Sequence, residues 1–399
     1  MSLPTRSSRI VAGVMSGTSL DGVDVAITHL VGTGRSMTVD VLAAIHEPYP
    51  EALRELIFRS SDAGTSSVRD ITQLDARLPV LYAEAVDHAL AEAGLQRDDL
   101  DLIGSHGQTI HHLPNPSDCA GASVRSTFQA GRPTALAQHL ETPVIGDFRS
   151  ADMALGGQGA PLAPYLDDVL FAHPDETRLL LNLGGIANMT VLPAGGATGD
   201  IRAFDTGPAN MVIDALASRL LDAPYDESGQ VAASGTPDHD LLADLLGADY
   251  FQIEPPKSTG REAFGAAYVD DLLRAERERS LRDADIIATA TLLTAASVYQ
   301  AYAQYIRQQN AADALYVSGG GVHNDTLMAM LADAFSPIPV AKTSDLDGGV
   351  DPDAKEAVLF AVLAHETANG IPTGLPSVTG ASRPALQGSL SLPSPPDAS

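Results

Sequence analysis

The chain has 399 residues, 51 acidic against 24 basic, and a formal net charge of −27. That length suits two domains, each with its own core, and the charge argues against a nucleic-acid partner or an anionic membrane surface, since no Lys/Arg cluster supplies a basic patch. No apolar run nears the roughly 18 residues of a membrane span, no signal-peptide pattern opens the chain, and the single cysteine, Cys119, makes neither an internal disulfide nor a zinc cluster; a cytoplasmic protein is expected.

In chain order, 9–15 reads as a buried strand, 23–30 as an alternating second strand and 37–45 as a third. A tight polar turn joins the first two, so the chain is expected to open as an antiparallel meander. Helical spacing follows over 50–60 and 70–94, then a short strand at 101–105, a helix at 134–140 and a strand at 143–147. After a helix near 162–172 the opening theme returns: an apolar strand 178–183, the Gly-rich turn 184–188, a returning strand 189–192 and another at 201–205. Long helices over 262–279 and 283–309, a strand at 314–318, a helix after Asn324 and a last helix over 351–369 complete the pattern. From Ile371 onward the Pro/Gly/Ser-rich chain is expected to coil over the surface. The division expected is an N-terminal lobe 1–150, with the last helix and tail from about 355 packing back on it, and a C-terminal lobe 151–354.

Three glycine clusters follow strands. In Gly13–Asp24, closely spaced glycines can turn backbone N–H groups toward one anion. Gly17, Thr18, Ser19, Leu20, Asp21, Gly22, Val23 and Asp24 are the candidate phosphate-binding residues, with Asp21 a carboxylate for Mg²⁺. This is no Walker loop, because no Gly-Lys-Ser/Thr follows, and alone it is equally an ordinary hairpin. Gly184 and Gly185 repeat the logic. Gly319 and Gly320 precede a helix and lack side chains where a flat purine would need close approach. Together the three turns describe a nucleotide cleft.

Asp205 ends an apolar strand, where α/β proteins place ligands; it is a candidate general base or a turn aspartate. Asp147, Arg149 and Asp152 read as a ligand group or an ion-pair network. Glu356, inside an apolar helix, faces a ligand or pairs at the surface. Gln108 and Thr109 end a strand with polar side chains ready for a ligand. His106, His111 and His112 lack companions at zinc spacing, and no Gly-x-Ser-x-Gly elbow supports hydrolysis by a serine triad.

These motifs together resemble the anhydro-N-acetylmuramic acid kinase family of the sugar kinase/Hsp70/actin superfamily. The resemblance rests on Gly13–Asp24, Gly104–Thr109, Asp147–Arg149, Gly156–Leu162, Asn182–Asn188 and Phe204–Asn210. It continues through Pro256–Glu262, Ser318–Gly321, Pro352–Glu356 and Ser377–Ala381, nearly the whole chain. It departs at Phe128–Pro133. The resemblance implies an α/β fold of two ribonuclease-H-like lobes with an interlobe active-site cleft. It implies ATP and Mg²⁺ as cofactors, a homodimer, and an anhydrosugar that is opened by water and phosphorylated on O6. On it, Asp205 is the catalytic aspartate, Gly17–Asp24 the ATP loop, and Gln108, Thr109, Arg149 and Glu356 the sugar side. The alternatives are a levoglucosan-type kinase, for a sugar without lactyl and N-acetyl groups, and an actin- or Hsp70-like nucleotide switch.

Overall fold

The computed structural model describes residues 3–17, 20–346 and 348–395. The chain divides into two compact units: one runs to Leu170 and resumes at Asp353, and the other is Phe171–Pro352. The strands, in chain order, are β1 (Ser8–Ser16), β2 (Gly22–Val31), β3 (Thr38–Pro48), β4 (Leu102–Cys119), β5 (Ala122–Ala130), β6 (Val144–Gly146), β7 (Arg178–Leu183), β8 (Ile186–Leu192), β9 (Arg202–Pro208), β10 (Ala314–Ser318), β11 (Val340–Lys342) and β12 (Ser389–Ser391).

The first unit holds a sheet ordered β12-β6-β4-β1-β2-β3, with β5 paired to β4. The second holds β11-β10-β7-β8-β9. In each, an antiparallel three-stranded meander continues into two parallel strands: β1 lies parallel to β4 and β4 to β6, as β7 lies parallel to β10 and β10 to β11. The repeated strand–turn–strand pattern of the sequence is therefore the meander of each ribonuclease-H-like lobe.

Alternation along β1 sends successive side chains to opposite faces. Ala12 and Val14 join the core beneath the helices Val68–Glu92 and Pro133–Leu140. Gly13 faces the other way, where a Cβ would stand 1.8 Å from the Ala357 carbonyl oxygen; at Gly104 of β4 it would stand 1.9 Å from that of Phe360. Both glycines let the helix Lys355–Ala368 lie flat on the sheet. Gly13 thus serves packing, and the phosphate-loop reading does not extend back to it. In the second unit the helix Asp283–Tyr305 is apolar on nearly all sides because it packs into two cores at once, one against β7, β8 and β10 and one against the helices Asn210–Leu221 and Ala266–Arg279.

Three features depart from the sequence expectations. The strand expected at 101–105 continues to Cys119 and returns as β5, a long ribbon that Pro114 and Pro116 conceal in the sequence because proline breaks the alternation signal. The tail is more than surface coil: β12 pairs antiparallel with β6, and Thr373, Thr379 and Gln387 are buried. Residues 151–170 fold with the first unit, where Arg35 pairs with Asp168 and Lys355 with Asp167.

Candidate active site

The second unit presents Asp205 on β9, half-buried, at a place where the register shifts between Ala187 and Asn188 of the facing strand. A bulge of this kind re-aims side chains at a strand end. The Asp205 carboxylate accepts from Asn188 Nδ2 at 3.1 Å and from the backbone N–H of Thr259 at 2.9 Å. Its own backbone is fixed as well, its N–H donating to the Lys257 carbonyl at 3.1 Å and its carbonyl accepting from the Tyr250 hydroxyl at 2.8 Å. Burial raises its pKa; the Thr259 and Asn188 hydrogen bonds lower it, Glu262 adds a raising charge and Lys257 a lowering one. Lys257 itself is brought down to about 8 by burial, Asp205 opposing, and its Nζ lies 4.6 Å from the centre of the Tyr250 ring. The result is an ionisable carboxylate, rigidly aimed, with lone pairs to spare.

Beside Gly320 in the same unit lies a cleft of about 350 Å³ lined by Asn210, Asp214, Tyr225, Ser228, His323 and Asn324 among others. A Cβ at Gly320 would meet nothing nearer than Asn210 Nδ2 at 3.6 Å, so its bareness keeps the cleft wall flat. Gly319, at φ +80°, has a different reason: a side chain there would strike Asn182 and the Leu183 carbonyl at 2.8 Å or less. Gly184 and Gly185 hold the turn onto the next helix through carbonyls that accept from the N–H groups of Asn210 and of Ala209 and Met211.

In the first unit, Thr18 and Ser19 of the expected phosphate loop lie outside the described residues. Leu20 takes φ +61° and packs on the core, while Asp21 is exposed and its carbonyl accepts from the Tyr49 N–H at 2.9 Å. The Val23 side chain is fully within the core, so only its backbone can meet a ligand. Gly22 has no room for a side chain because the Glu47 carbonyl would sit 2.2 Å from its Cβ. Asp24 accepts from His46 Nδ1 at 2.7 Å, and its pKa is raised first by burial, with Asp21 and Asp353 adding negative charge against the lowering by His46. Among the described residues no group of three His, Cys, Asp or Glu side chains is arranged to hold a metal ion.

Gln108 is completely buried and its amide is spent on the loop: Oε1 accepts from the Ser16 hydroxyl and Nε2 donates to the Gly17 carbonyl at 3.1 Å. Thr109 Oγ1 lies 3.4 Å from Gln129 Nε2. Arg149 bonds to neither Asp147 nor Asp152. Its Nε and Nη2 reach His106 Nε2 at 3.1 and 2.9 Å, and its Nη1 donates to the Gly159 carbonyl at 2.7 Å. Asp147 instead accepts from the Ser150 hydroxyl at 2.6 Å and from the Ser150 N–H at 3.3 Å, just ahead of the short helix Ser150–Ala154. Burial brings the Arg149 guanidinium down to about 10, with Glu356 pulling the other way. Glu356, in the first turn of its helix, has its pKa raised by burial of the carboxyl group and by Asp24, against Arg149 and Lys355. Arg132, where the sequence departs from the family pattern, pairs with Asp75, which also accepts from the Gly131 N–H at 3.1 Å.

The family model for anhydro-N-acetylmuramic acid kinase matches residues 9–393. The chain belongs to the anhydro-N-acetylmuramic acid kinase family. Relatives of that name include the protein of Salinibacter ruber, 64% identical over 99% of both chains. That of Caldanaerobacter subterraneus subsp. tengcongensis is 42% identical over 97% of this chain and 98% of its own. That of Bacillus cereus is 40% identical over 96% of this chain and 99% of its own. The levoglucosan and nucleotide-switch alternatives gain no support from these relatives.

Within the family frame, four residues near the expected site carry more than the sequence reading gave them. Thr259, Lys257 and Asn188 orient Asp205; the first two lie in the Pro256–Glu262 motif, the signal from which they could have been drawn. His106 is the fourth. It is buried against Phe360, 4.7 Å between ring centres, and burial with the Arg149 charge takes its pKa to about 3, so its Nε2 is a neutral acceptor.

Proposed function

We propose that the protein is an ATP-dependent kinase that opens the 1,6-anhydro bond of 1,6-anhydro-N-acetylmuramate with water and phosphorylates O6, giving N-acetylmuramate 6-phosphate and ADP. The observation that carries this is Asp205: an oriented carboxylate whose pKa is raised by burial against the lowering pull of the Thr259 N–H and Asn188 hydrogen bonds. A glycosidase needs one carboxyl group to protonate the leaving oxygen and another to activate water. Here O6 departs from C1 onto the γ-phosphorus, so phosphorus takes the place of the acid and one base is enough. Asp205 removes a proton from the water that attacks C1, the C1–O6 bond breaks with its electron pair on O6, O6 bonds to the γ-phosphorus, and ADP leaves with the electron pair of the bond between that phosphorus and the β–γ oxygen.

The remaining roles follow the chemistry of each group. Arg149 and Glu356, with Thr109, bind the sugar. Gln108 holds the Ser16–Gly17 turn of the phosphate loop, and the cleft beside Gly320 takes the nucleoside. Asp21 and Asp24, close enough for one charge to act on the other, are the carboxylates for Mg²⁺. A donor set of fewer than three protein groups suits this ion, which keeps waters and takes its other oxygens from phosphates; when bound, it neutralises charge on the transferring phosphoryl group. By family resemblance we assign the protein to the cytoplasm, as a homodimer in the recycling of cell-wall sugar.

Reaction in ¹⁸O-enriched water tests the proposal. Mass spectrometry should find one label at C1 of the 6-phosphosugar, and an unlabelled phosphosugar would leave only a simple hydroxyl kinase.

A further inference from the structure

Two stretches that mark the family, Gly156–Leu162 and Ser377–Ala381, have no task in the reaction as written. The structure brings them together within the first unit. Thr379 lies in the tail and is buried; its hydroxyl donates to Asp152 Oδ1 at 2.7 Å, closer than its other acceptor, the Leu375 carbonyl at 3.2 Å. The Thr379 carbonyl accepts from the Gln158 N–H at 2.9 Å. Asp152, with no exposed surface, turns its other oxygen to the Gly159 N–H at 2.8 Å. The carbonyl of that same Gly159 accepts from Arg149 Nη1 at 2.7 Å. Gly157 must be bare for this to form, since its Cβ would come within 2.1 Å of Asp152 Oδ2 and 3.0 Å of the Ala381 Cβ.

Arg149 is thereby gripped on two sides. His106 takes Nε and Nη2, and Gly159 takes one proton of Nη1. A guanidinium has five N–H bonds, so one on each terminal nitrogen remains, and those two form the fork that recognises paired ligand oxygens. Shifting the Gly159 carbonyl turns this fork, whereas His106 alone, a single acceptor atom, leaves the plane free to pivot.

We infer that Thr379, acting through Asp152 and Gly159, is a positioning residue that sets the angle of the Arg149 fork toward the sugar. The inference rests on the assignment of Arg149 to the sugar side.

Full-length Thr379→Val and Thr379→Ser enzymes, each also made with Arg149→Lys, supply the test. Calorimetry measures binding of 1,6-anhydro-N-acetylmuramate, and steady-state kinetics give KM for ATP. Thr379→Val is expected to weaken sugar binding about tenfold, the scale of one hydrogen bond to a charged group, with KM for ATP unchanged. Thr379→Ser should restore binding. In the Arg149→Lys background the Thr379→Val loss should shrink to less than about twofold, because interacting residues are not additive. An equal loss in both backgrounds, a parallel rise in the ATP KM, or a silent Thr379→Val beside a damaging Arg149→Lys would each overturn the inference. A silent Arg149→Lys is a different result: it removes the sugar role of Arg149, and the inference with it.

Discussion

Asp205 and His106 show burial acting in opposite senses on two ionisable side chains. For Asp205, lost hydration favours the acid while two hydrogen bonds favour the base, leaving a carboxylate that can take a proton from water and give it up again. Asp205→Asn keeps the size and the Thr259 contact but has no basic lone pair; kcat should fall about 10²- to 10⁴-fold, with binding of the anhydrosugar by calorimetry nearly unchanged. Near-normal turnover would remove Asp205 from the base role. His106 is held neutral, at about 3 against an ordinary 6.5. The unfolded chain therefore binds a proton that the folded one refuses between those values. Stability is complete above pH 6.5 and falls as pH drops toward 3, by up to about 1.4 kcal/mol per pH unit from this one residue. Denaturation midpoints of His106→Asn between pH 7 and 4 should fall less steeply than those of the parent chain.

At the scale of elements, the helix Lys355–Ala368 lies where two strands offer no side chain. Gly104→Ala places a methyl where the Phe360 carbonyl already is, 1.9 Å away. Backbone must move, and overpacking of this kind costs roughly 1–3 kcal/mol or more. Urea denaturation should show that loss, and the sugar side should suffer too, because Glu356 rides on this helix and His106 stacks on its Phe360. The elements also show what can be read from a linear chain. The two meanders are legible because β1–β2 and β7–β8 join a buried apolar strand to a glycine turn and a returning strand, signals carried within about twenty residues. The β4–β5 ribbon is not, since Pro114 and Pro116 break its pattern, and β12 is not, since three residues become a strand only by pairing with Gly146 and its neighbours. The same contrast holds for the site. Asp205 announces itself at the end of an apolar strand. The grip of His106 on Arg149 depends on the parallel register that sets Ser105 opposite Gly146, a contact no local pattern encodes.

For the whole molecule, charge is the dominant long-range term. With −27 on 399 residues, like charges repel across the surface of the folded chain. Salt shortens the reach of that repulsion from roughly 30 Å at 0.01 M to about 8 Å at 0.15 M. The thermal midpoint should therefore rise by several degrees over that interval, and a flat or falling midpoint in a calorimetric scan would show that local ion pairs such as Arg35–Asp168 and Lys355–Asp167 outweigh it.

The first unit is assembled from two stretches that flank the second, and this orders its completion during synthesis. Phe171–Pro352 is continuous, so all of it is synthesised before the helix that covers Gly13 and Gly104. The unit begun first is completed last. Until the tail emerges, β6 keeps an open edge and Asp152 lacks the hydroxyl of Thr379. A nascent chain stalled before Thr379 would carry Asp152 without the hydroxyl through which we infer that Arg149 is positioned.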